Sequence, residues 1–324
     1  MPYEIPSSLT PKEYTELYPR YLASERSRKR SACTLKAYDL ALRKFRDYLN
    51  ETNPPEITPL VVQEWTDAMM DADVSSNSAG QYWDSVGRFF TWARRMKLVS
   101  ESPMPEGGKP DYILAEKEIP TKEEILKLLD PKNIPFSIQK RNPRRNYTIV
   151  ALLILTGLRS NELRELKVED LNFEAQTITV KNGKGGKRRK APFSPLAQEI
   201  VGEYIEANLR PENLSDSDYL FGTHAHGLDE ETAASGEKWH KFDAATLGRL
   251  VKRYGKAVIG KEIHPHLLRH CFASLLADAG QDMREIQQAL GHAQLSTTER
   301  IYTHILNQNK AAQSISKTLS TLSL

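Results

Sequence analysis

The sequence predicts a mainly α-helical protein with two domains and one small β-sheet. A chain of 324 residues is longer than a typical single domain. Over most of its length, apolar residues recur at intervals of three and four, as in helices with one buried face. Residues 168–193 change to a strand-like composition. A Pro- and Gly-rich stretch at 102–110 cannot continue a helix and indicates a linker. We therefore divide the chain into a first domain, a linker, a second domain and a C-terminal tail, at residues 1–102, 103–118, 119–308 and 309–324.

The first domain is expected to contain four helices. Apolar stripes at 14–22 and 35–49 predict the first two. Thr58 followed by Pro59 predicts the start of the third helix, because proline is favoured at the first helical position. The fourth helix should begin near Ser75 or Ser76 and run to about residue 97. Most four-helix bundles do not bind DNA, so this pattern alone does not indicate a function.

The second domain is expected to begin near Ile119. Thr121 and Glu124 form a capping box that opens a helix ending at Leu129. Residues 146–156 predict an apolar helix, and Gly157 suits the left-handed residue that follows a helix.

Two strands, 177–180 and 189–193, should flank a Gly-rich turn at 182–186. The turn is not a P-loop, because the G-x-x-x-x-G-K-S/T pattern is absent and a strand follows it. A helix at 195–208, a short strand at 219–221 and a helix at 244–258 come next. The polar residues between 223 and 243, with His224, His226 and His240, are interpreted as a loop.

Composition excludes several classes of protein. Hydrophobic residues make up 39% and charged residues 27%, as in soluble globular proteins. No apolar run approaches the roughly 20 residues of a membrane span, and the N-terminus lacks the regions of a signal peptide. Cys33 and Cys271 are lone thiols far apart, so we expect no disulfide and a cytoplasmic location.

Positive charge is clustered although the net charge is only +3. Basic residues concentrate at 26–30, 140–145 and 181–190. One such run is usually a solvated surface, but three of them beside a site for phosphate favour a polyanionic partner.

The stretch 264–304 carries the residues with the most specific chemistry. On a helix, His266, Arg269 and His270 share one face. A guanidinium suits bidentate contact with phosphate, and imidazole exchanges protons near neutral pH. Tyr302 is the only tyrosine after Tyr254, and it indicates a phenolate that attacks a phosphodiester.

Three other interpretations of this stretch stay open at this point. The histidines at 264, 266 and 270 would form a metal cluster only with further ligands, and no Cys, Asp or Glu lies at a suitable spacing. An ordinary core helix with satisfied histidines would show the same pattern, and so would a DNA reader that cleaves nothing.

Four motifs resemble those of the tyrosine recombinases of the Xer/integrase family. The family patterns H-x-L-R-H, L-G-H and I-Y-T-H correspond here to residues 266–270, 290–292 and 301–304. The segment TGLRSNELREL, residues 156–166, resembles the family's first arginine box. One departure is the spacing, since Tyr302 follows His292 by ten positions and the family usually has nine. We expect a helical bulge near residues 299–300 to absorb the extra residue; the alternative is the loop at 293–296.

The resemblance implies a helical core-binding domain of the SAM-like type and a mixed α/β catalytic domain, which together form a C-shaped clamp around DNA. It implies a site-specific recombinase that forms a 3′-phosphotyrosyl intermediate on double-stranded DNA, with Tyr302 as the nucleophile. Arg159 and Arg269 would neutralise the phosphate oxygens. His266 would hydrogen-bond the phosphate and assist with the proton of the tyrosine, and His292 would position another phosphate oxygen. Glu162 and His270 would orient their neighbours.

The resemblance also implies a catalytic lysine in the turn between the two strands. The family's G-K-G pattern corresponds to Lys184, which would protonate the departing 5′-oxygen; Lys187 is the competing candidate. Because the phosphotyrosyl link preserves the phosphoester, the reaction would need no cofactor and no metal. Exchange between two synapsed sites implies a homotetramer.

The expected DNA-contacting residues are basic and lie in or near the clusters. They are Arg26, Arg28, Lys29, Arg30, Arg88, Arg94, Arg95, Lys140, Arg141, Arg144, Arg145, Lys187, Arg188 and Arg189. Two other functions fit the same residues: relaxation of DNA by a monomeric type IB topoisomerase, and DNA binding by a regulator that performs no strand exchange.

Overall fold

A computed structural model describes residues 5–111, 119–134, 143–181, 188–207, 215, 218–224 and 239–291. The chain divides into two units, residues 1–117 and 118–324. Each unit is described by itself.

Four helices form the first unit, as the sequence predicts. Each one begins after a Ser or Thr whose side-chain oxygen accepts a backbone N–H of the first turn, which satisfies a donor that the helix cannot. The expected starts at Thr58–Pro59 and at Ser75 are confirmed. The helices are α1 (Pro11–Ser27), α2 (Ala32–Thr52), α3 (Pro59–Asp71) and α4 (Ser76–Arg95).

Aromatic side chains fill the core of this unit. The ring of Tyr14 lies edge-on to Phe45 and Phe89, with centroids 5.2 and 4.8 Å away. Its hydroxyl donates a hydrogen bond of 3.1 Å to the carbonyl of Leu42, so the buried phenol is satisfied. The beginning of the expected linker packs along α4, where Met104 meets the core and Lys109 pairs with Asp84 at 2.8 Å.

The second unit combines helices with two small antiparallel sheets. Its helices are α5 (Lys122–Leu129), α6 (Pro143–Thr156), α7 (Ser160–Arg164), α8 (Pro195–Glu206), α9 (Ala244–Ile259), α10 (Pro265–Asp278) and α11 (Met283–Leu290). Its strands are β1 (Leu171–Asn172), β2 (Thr177–Val180), β3 (Arg189–Pro192), β4 (Gly222–His224) and β5 (Trp239–Lys241).

The central element of this unit is α6, which from Tyr147 onward is almost completely buried between α8 and α10. A helix that is apolar around its whole circumference belongs in a core, because no face of it tolerates water. It begins three residues before the expected residue 146 and ends where expected. Gly157 follows it with a φ of +61°, the left-handed conformation that glycine adopts at little cost.

The three-stranded sheet has the order β1-β2-β3, with Ile178 opposite Ala191. The two main strands confirm the prediction, and the Gly-rich turn between them lies outside the described residues. This pairing positions Arg189, opposite Val180, at the end of β3 nearest the turn.

Two predictions in the region 219–243 are wrong. The expected strand at 219–221 is not one: Tyr219 makes a single isolated bridge to Lys167, and Leu220 and Phe221 are buried without a ladder. Leu220 and Phe221 are apolar because they are buried in the core, and strand pairing begins only at Gly222. The expected loop instead supplies β4 and β5, which include His224 and His240; His226 lies outside the described residues. Among the described helices, none combines the length and the apolarity that a bilayer crossing requires.

Candidate active site

Arg159 stands at the N-terminus of α7, and Glu162 one turn later fixes its side chain. One carboxylate oxygen of Glu162 accepts the Arg159 backbone N–H at 2.8 Å, and the other accepts Nη1 of its guanidinium at 2.8 Å. The spacing R-x-x-E therefore serves two purposes, because the same carboxylate caps the helix and orients the arginine. The second nitrogen, Nη2, donates to the carbonyl of Gly291 at 2.9 Å.

Arg269 projects from α10 into the interior, where only 1% of it is exposed. Its guanidinium donates to the carbonyls of Gly157 and Leu290. The Arg269 Nη1 atom also lies 4.0 Å from a carboxylate oxygen of Glu162. A buried cation needs such partners, because burial without them costs several kcal/mol.

Glu162 is the anion that joins these cations. Its side chain is only 2% exposed, and its Oε2 atom accepts Arg189 Nη2 at 2.7 Å. Burial raises the pKa of this carboxyl, but the hydrogen bonds from Arg189 and from the Arg159 backbone outweigh burial and leave the pKa below its ordinary value. One ionised carboxylate thereby holds Arg159 and Arg189 and lies close to Arg269.

The histidines of α10 divide between two roles. His264 caps the helix, since its Nδ1 accepts the backbone N–H of Leu267 at 3.1 Å. The rings of His266 and His270 meet edge to face with centroids 4.6 Å apart. Positions 266, 269 and 270 belong to one helix and share one face of it, but their side chains do not point together: His266 is exposed, whereas the Arg269 guanidinium turns inward to carbonyl partners.

Several expected site residues lie outside the described part of the chain. These are Lys184, Lys187, His292 and Tyr302, together with Lys140 and Arg141. The segments proposed to absorb the extra residue, 293–296 and 299–300, lie outside it as well. The described site therefore comprises the arginines, Glu162 and the histidines of α10.

The basic residues expected to contact DNA fall into two groups. Most of them are exposed: Arg26, Arg28, Lys29, Arg30, Arg88, Arg94, Arg95, Arg144 and Arg188. Among these, Arg28 and Arg30 pair with the buried carboxylate of Glu25 at 2.8 and 3.0 Å, which fixes the loop after α1.

Arg145 and Arg189 are instead held inside the second unit. The Arg145 Nη1 atom donates to the Gly222 carbonyl at 3.1 Å, and its guanidinium lies 4.9 Å from the ring centroid of Phe242. Arg189 bonds to Glu162 and to the carbonyl of Ala289. We therefore remove both residues from the expected DNA-contacting set.

A signal for the inward direction of Arg189 was present in the sequence. On a strand, residues 189 and 191 point to the same face of the sheet. Because Ala191 is apolar, the pattern predicts that this face, and Arg189 with it, points toward the core. The surrounding lysines and arginines obscure this alternation, because the run 181–190 as a whole indicates a cluster of cations that faces a polyanion.

Two family profiles match the chain. The profile of the phage integrase family matches residues 119–309, and that of the N-terminal SAM-like domain of phage integrases matches residues 15–97. The first match covers more than half of the chain. Together the two profiles include all the described helices except a few terminal residues of α1.

Curated relatives match over most of the chain. Tyrosine recombinase XerD of Staphylococcus epidermidis is 31% identical over 279 residues, which cover 84% of this chain and 88% of that protein. Tyrosine recombinase XerD of Staphylococcus aureus is 30% identical over 296 residues, which cover 90% and 93%.

Solved structures share the fold. The XerH site-specific recombinase in a pre-cleavage complex with its difH substrate is 25% identical, with a TM-score of 0.61 over 90% of this chain and 81% of that one. A lambda integrase dimer bound to a COC′ core site has a TM-score of 0.67 at 17% identity, over 89% and 94%, and so shows the fold alone.

Proposed function

Because the chain belongs to the phage integrase family and is a site-specific tyrosine recombinase, we propose how its own residues cleave and rejoin DNA. The observation that carries the proposal is the arginine pair around Glu162. Arg159 and Arg269 come from segments 110 residues apart and are brought within reach of one carboxylate. Three guanidinium groups around a single carboxylate leave an excess of positive charge, which favours an anionic substrate.

The cleavage step begins with attack by Tyr302. Its phenolic oxygen forms a bond to the scissile phosphorus while the bond from phosphorus to the 5′-oxygen breaks. An ordinary tyrosine has a pKa near 10 and attacks poorly until it loses its proton; His266, exposed at the start of α10, is the proposed acceptor of that proton. Arg159 and Arg269 neutralise the non-bridging oxygens, on which negative charge accumulates in the transition state.

The departing 5′-oxygen takes a proton from Lys184, and His292 positions another phosphate oxygen. The products are a 3′-phosphotyrosyl link and a free 5′-hydroxyl, so no phosphoester is lost. Attack of a 5′-hydroxyl from a second duplex reverses the step and joins the new strand. Glu162 and His270 orient the groups that touch the phosphate.

The domain boundaries, the oligomeric state and the location are parts of the same proposal. We assign residues 1–102 to DNA binding, 103–118 to the linker, 119–308 to catalysis and 309–324 to a tail that exchanges between protomers. The division of the chain at residues 117 and 118 and the two profile matches support these boundaries. Two synapsed duplexes present four strands for exchange, which supports a tetramer. The two free cysteines support a cytoplasmic location.

The covalent intermediate provides the decisive test. Duplexes that the protein binds are selected from a random library, nicked near the bound site to trap the cleaved state, and incubated with wild type or Tyr302→Phe. We expect a denaturation-resistant adduct with wild type only, and equal DNA binding by both proteins, because the variant lacks only the attacking oxygen.

An adduct formed by Tyr302→Phe would contradict the assignment of the nucleophile. Binding by wild type without any adduct would favour the DNA-binding regulator. Relaxation of supercoiled plasmid by a monomer without synapsis would favour the topoisomerase.

A further inference from the structure

Three arginines share the C-terminus of α11. Arg189 donates to the carbonyl of Ala289 at 2.8 Å, Arg269 to that of Leu290, and Arg159 to that of Gly291 at 2.9 Å. Three consecutive carbonyls thus receive three guanidinium groups from different elements. The last carbonyls of a helix lack partners within it and carry partial negative charge, so cations are favourable there.

Arg189 and Arg159 each join Glu162 to the end of α11, whereas Arg269 lies 4.0 Å from Glu162. The Arg189 Nη1 atom holds the end of α11, and its Nη2 atom holds Glu162 Oε2 at 2.7 Å. Its side chain is 13% exposed, compared with 27% for Arg159. Arg189 is thus less exposed than Arg159, and its bond to Glu162 is shorter than the 4.0 Å separation of Arg269 from that carboxylate, so Arg189 is well suited to hold Glu162 against the helix end.

The backbone next to Arg189 is adapted to it. A Cβ atom on Gly291 would lie 2.5 Å from Arg189 Cδ and 3.0 Å from its Nε. Gly291 also has a φ of +64°, a conformation that costs a residue with a Cβ about 1 kcal/mol or more. Glycine at 291 thus lets the chain turn after α11 while Arg189 passes beside it.

We propose that Arg189 is a positioning residue for DNA cleavage: it fixes Glu162, and through it Arg159, relative to the helix end that leads into residue 292. This inference rests on the proposed function. It reassigns Arg189 from DNA contact to alignment of the groups that contact DNA. Arg189 belongs to β3, so it also connects the three-stranded sheet to the arginine pair.

Loss of Arg189 would act through the balance of charges around Glu162. The carboxylate would stay buried with one cation fewer, and it would draw Arg159 or Arg269 closer. The end of α11 would lose one donor. A shift of about 1 Å in a catalytic group lowers a rate by up to about 100-fold, so we expect Arg189→Met to cleave about 10- to 100-fold more slowly at saturating protein. The Kd for DNA should change by less than about 3-fold, because no phosphate contact is removed.

The first experiment measures single-turnover adduct formation and DNA affinity on a nicked duplex, per folded molecule. Arg164→Met is the matched control, since Arg164 also bonds a distant backbone carbonyl, that of Phe242, but contacts neither Glu162 nor α11. We expect the control to cleave at the wild-type rate. Arg189→Lys keeps the charge and one of the two contacts, so it should recover part of the lost rate.

A second experiment distinguishes positioning from a structural role. In Arg189→Met, the pKa of Glu162 should rise, because burial remains while one favourable partner is lost; the other groups that face it are Arg159 and Arg269. Cleavage by this variant should therefore fall more steeply than that of wild type as the pH is lowered from about 8 to about 5. Adding Glu162→Gln should abolish the extra pH dependence and slow the reaction no further than the slower single variant.

The outcomes separate the two claims. If wild type forms no adduct, the proposed function is overturned and this inference with it. If wild type cleaves and Arg189→Met is as fast as Arg164→Met, only the inference is overturned. The inference is also overturned if the double variant is slowed by the product of the two single effects, that of Arg189→Met and that of Glu162→Gln. A pH profile of Arg189→Met identical to that of wild type would overturn it as well.

Discussion

The three arginines around Glu162 differ in how deeply their side chains are buried. Their side-chain exposure falls from 27% for Arg159 to 13% for Arg189 and 2% for Arg269. Sequence motifs identified the first and the third, because R-x-x-E and H-x-L-R-H have fixed spacings. The second required the fold, since its partners Glu162 and Ala289 are 27 and 100 residues away along the chain.

The proposed role of Lys184 as the general acid can be tested by replacing that one residue. Lys184→Ala should slow cleavage of ordinary DNA by about 100-fold or more, as loss of a general acid does. Replacement of the 5′-bridging oxygen by sulfur should restore most of the rate, because a thiolate leaves without a proton. The measurement is single-turnover cleavage of the two substrates by Lys184→Ala and by Lys187→Ala. A rescue confined to the Lys187 variant would transfer the role to Lys187.

At the scale of elements, helices were predictable and short strands were less so. A helix is recognised by a capping residue and by eight or more periodic residues, as the helices after Thr58, Ser75 and Thr121 illustrate. Strands β4 and β5 have three residues each, too few for a period of two to emerge, and they pair across a polar segment. The apolar residues at 219–221 were predicted as a strand because, over only three residues, a buried segment and a paired strand have the same apolar pattern.

The glycine in the turn after α6, Gly157, is expected to contribute to the stability of the second unit. A Cβ atom on Gly157 would lie 2.4 Å from Cδ1 of the Phe272 ring, and the left-handed φ adds backbone strain. We expect Gly157→Ala to lower the free energy of unfolding by about 2–4 kcal/mol, from both effects together. Urea denaturation followed by circular dichroism measures the loss.

Gly280→Ala is the control for that substitution. Gly280 also has a positive φ, +84°, but a Cβ there would meet nothing within 4 Å. Gly280→Ala should therefore lower the free energy of unfolding only by the backbone strain, about 1 kcal/mol. Equal losses at the two positions would show that contact with Phe272 contributes nothing.

At the scale of the whole molecule, net charge says little about the partner. The 45 basic residues nearly balance the 42 acidic ones, so the overall field is weak. Attraction to DNA must come from the arrangement of exposed cations. In the first unit, the basic residues at 26–30 together with Arg88, Arg94 and Arg95 are exposed and provide such an arrangement.

Salt dependence tests this arrangement. The logarithm of the DNA association constant should fall linearly with the logarithm of the salt concentration, because bound phosphates release counterions. Replacing Arg94 and Arg95 by glutamine should lower the magnitude of that slope by about 1.8 if each contacts one phosphate. Replacing Lys127 and Lys132, which are exposed and outside the basic clusters, should leave it unchanged. An equal slope for all three proteins would exclude Arg94 and Arg95 from the interface.

The shared end of α11 has a consequence for a chain still being synthesised. The bonds from the three arginines to this end connect residues 100, 132 and 21 positions apart, from Arg189 to Ala289, Arg159 to Gly291 and Arg269 to Leu290. A ribosome-bound fragment that stops before residue 289 contains all three arginines but has no helix end to receive them. The arginine cluster therefore assembles completely only after residues 289–291 have been translated and α11 has formed.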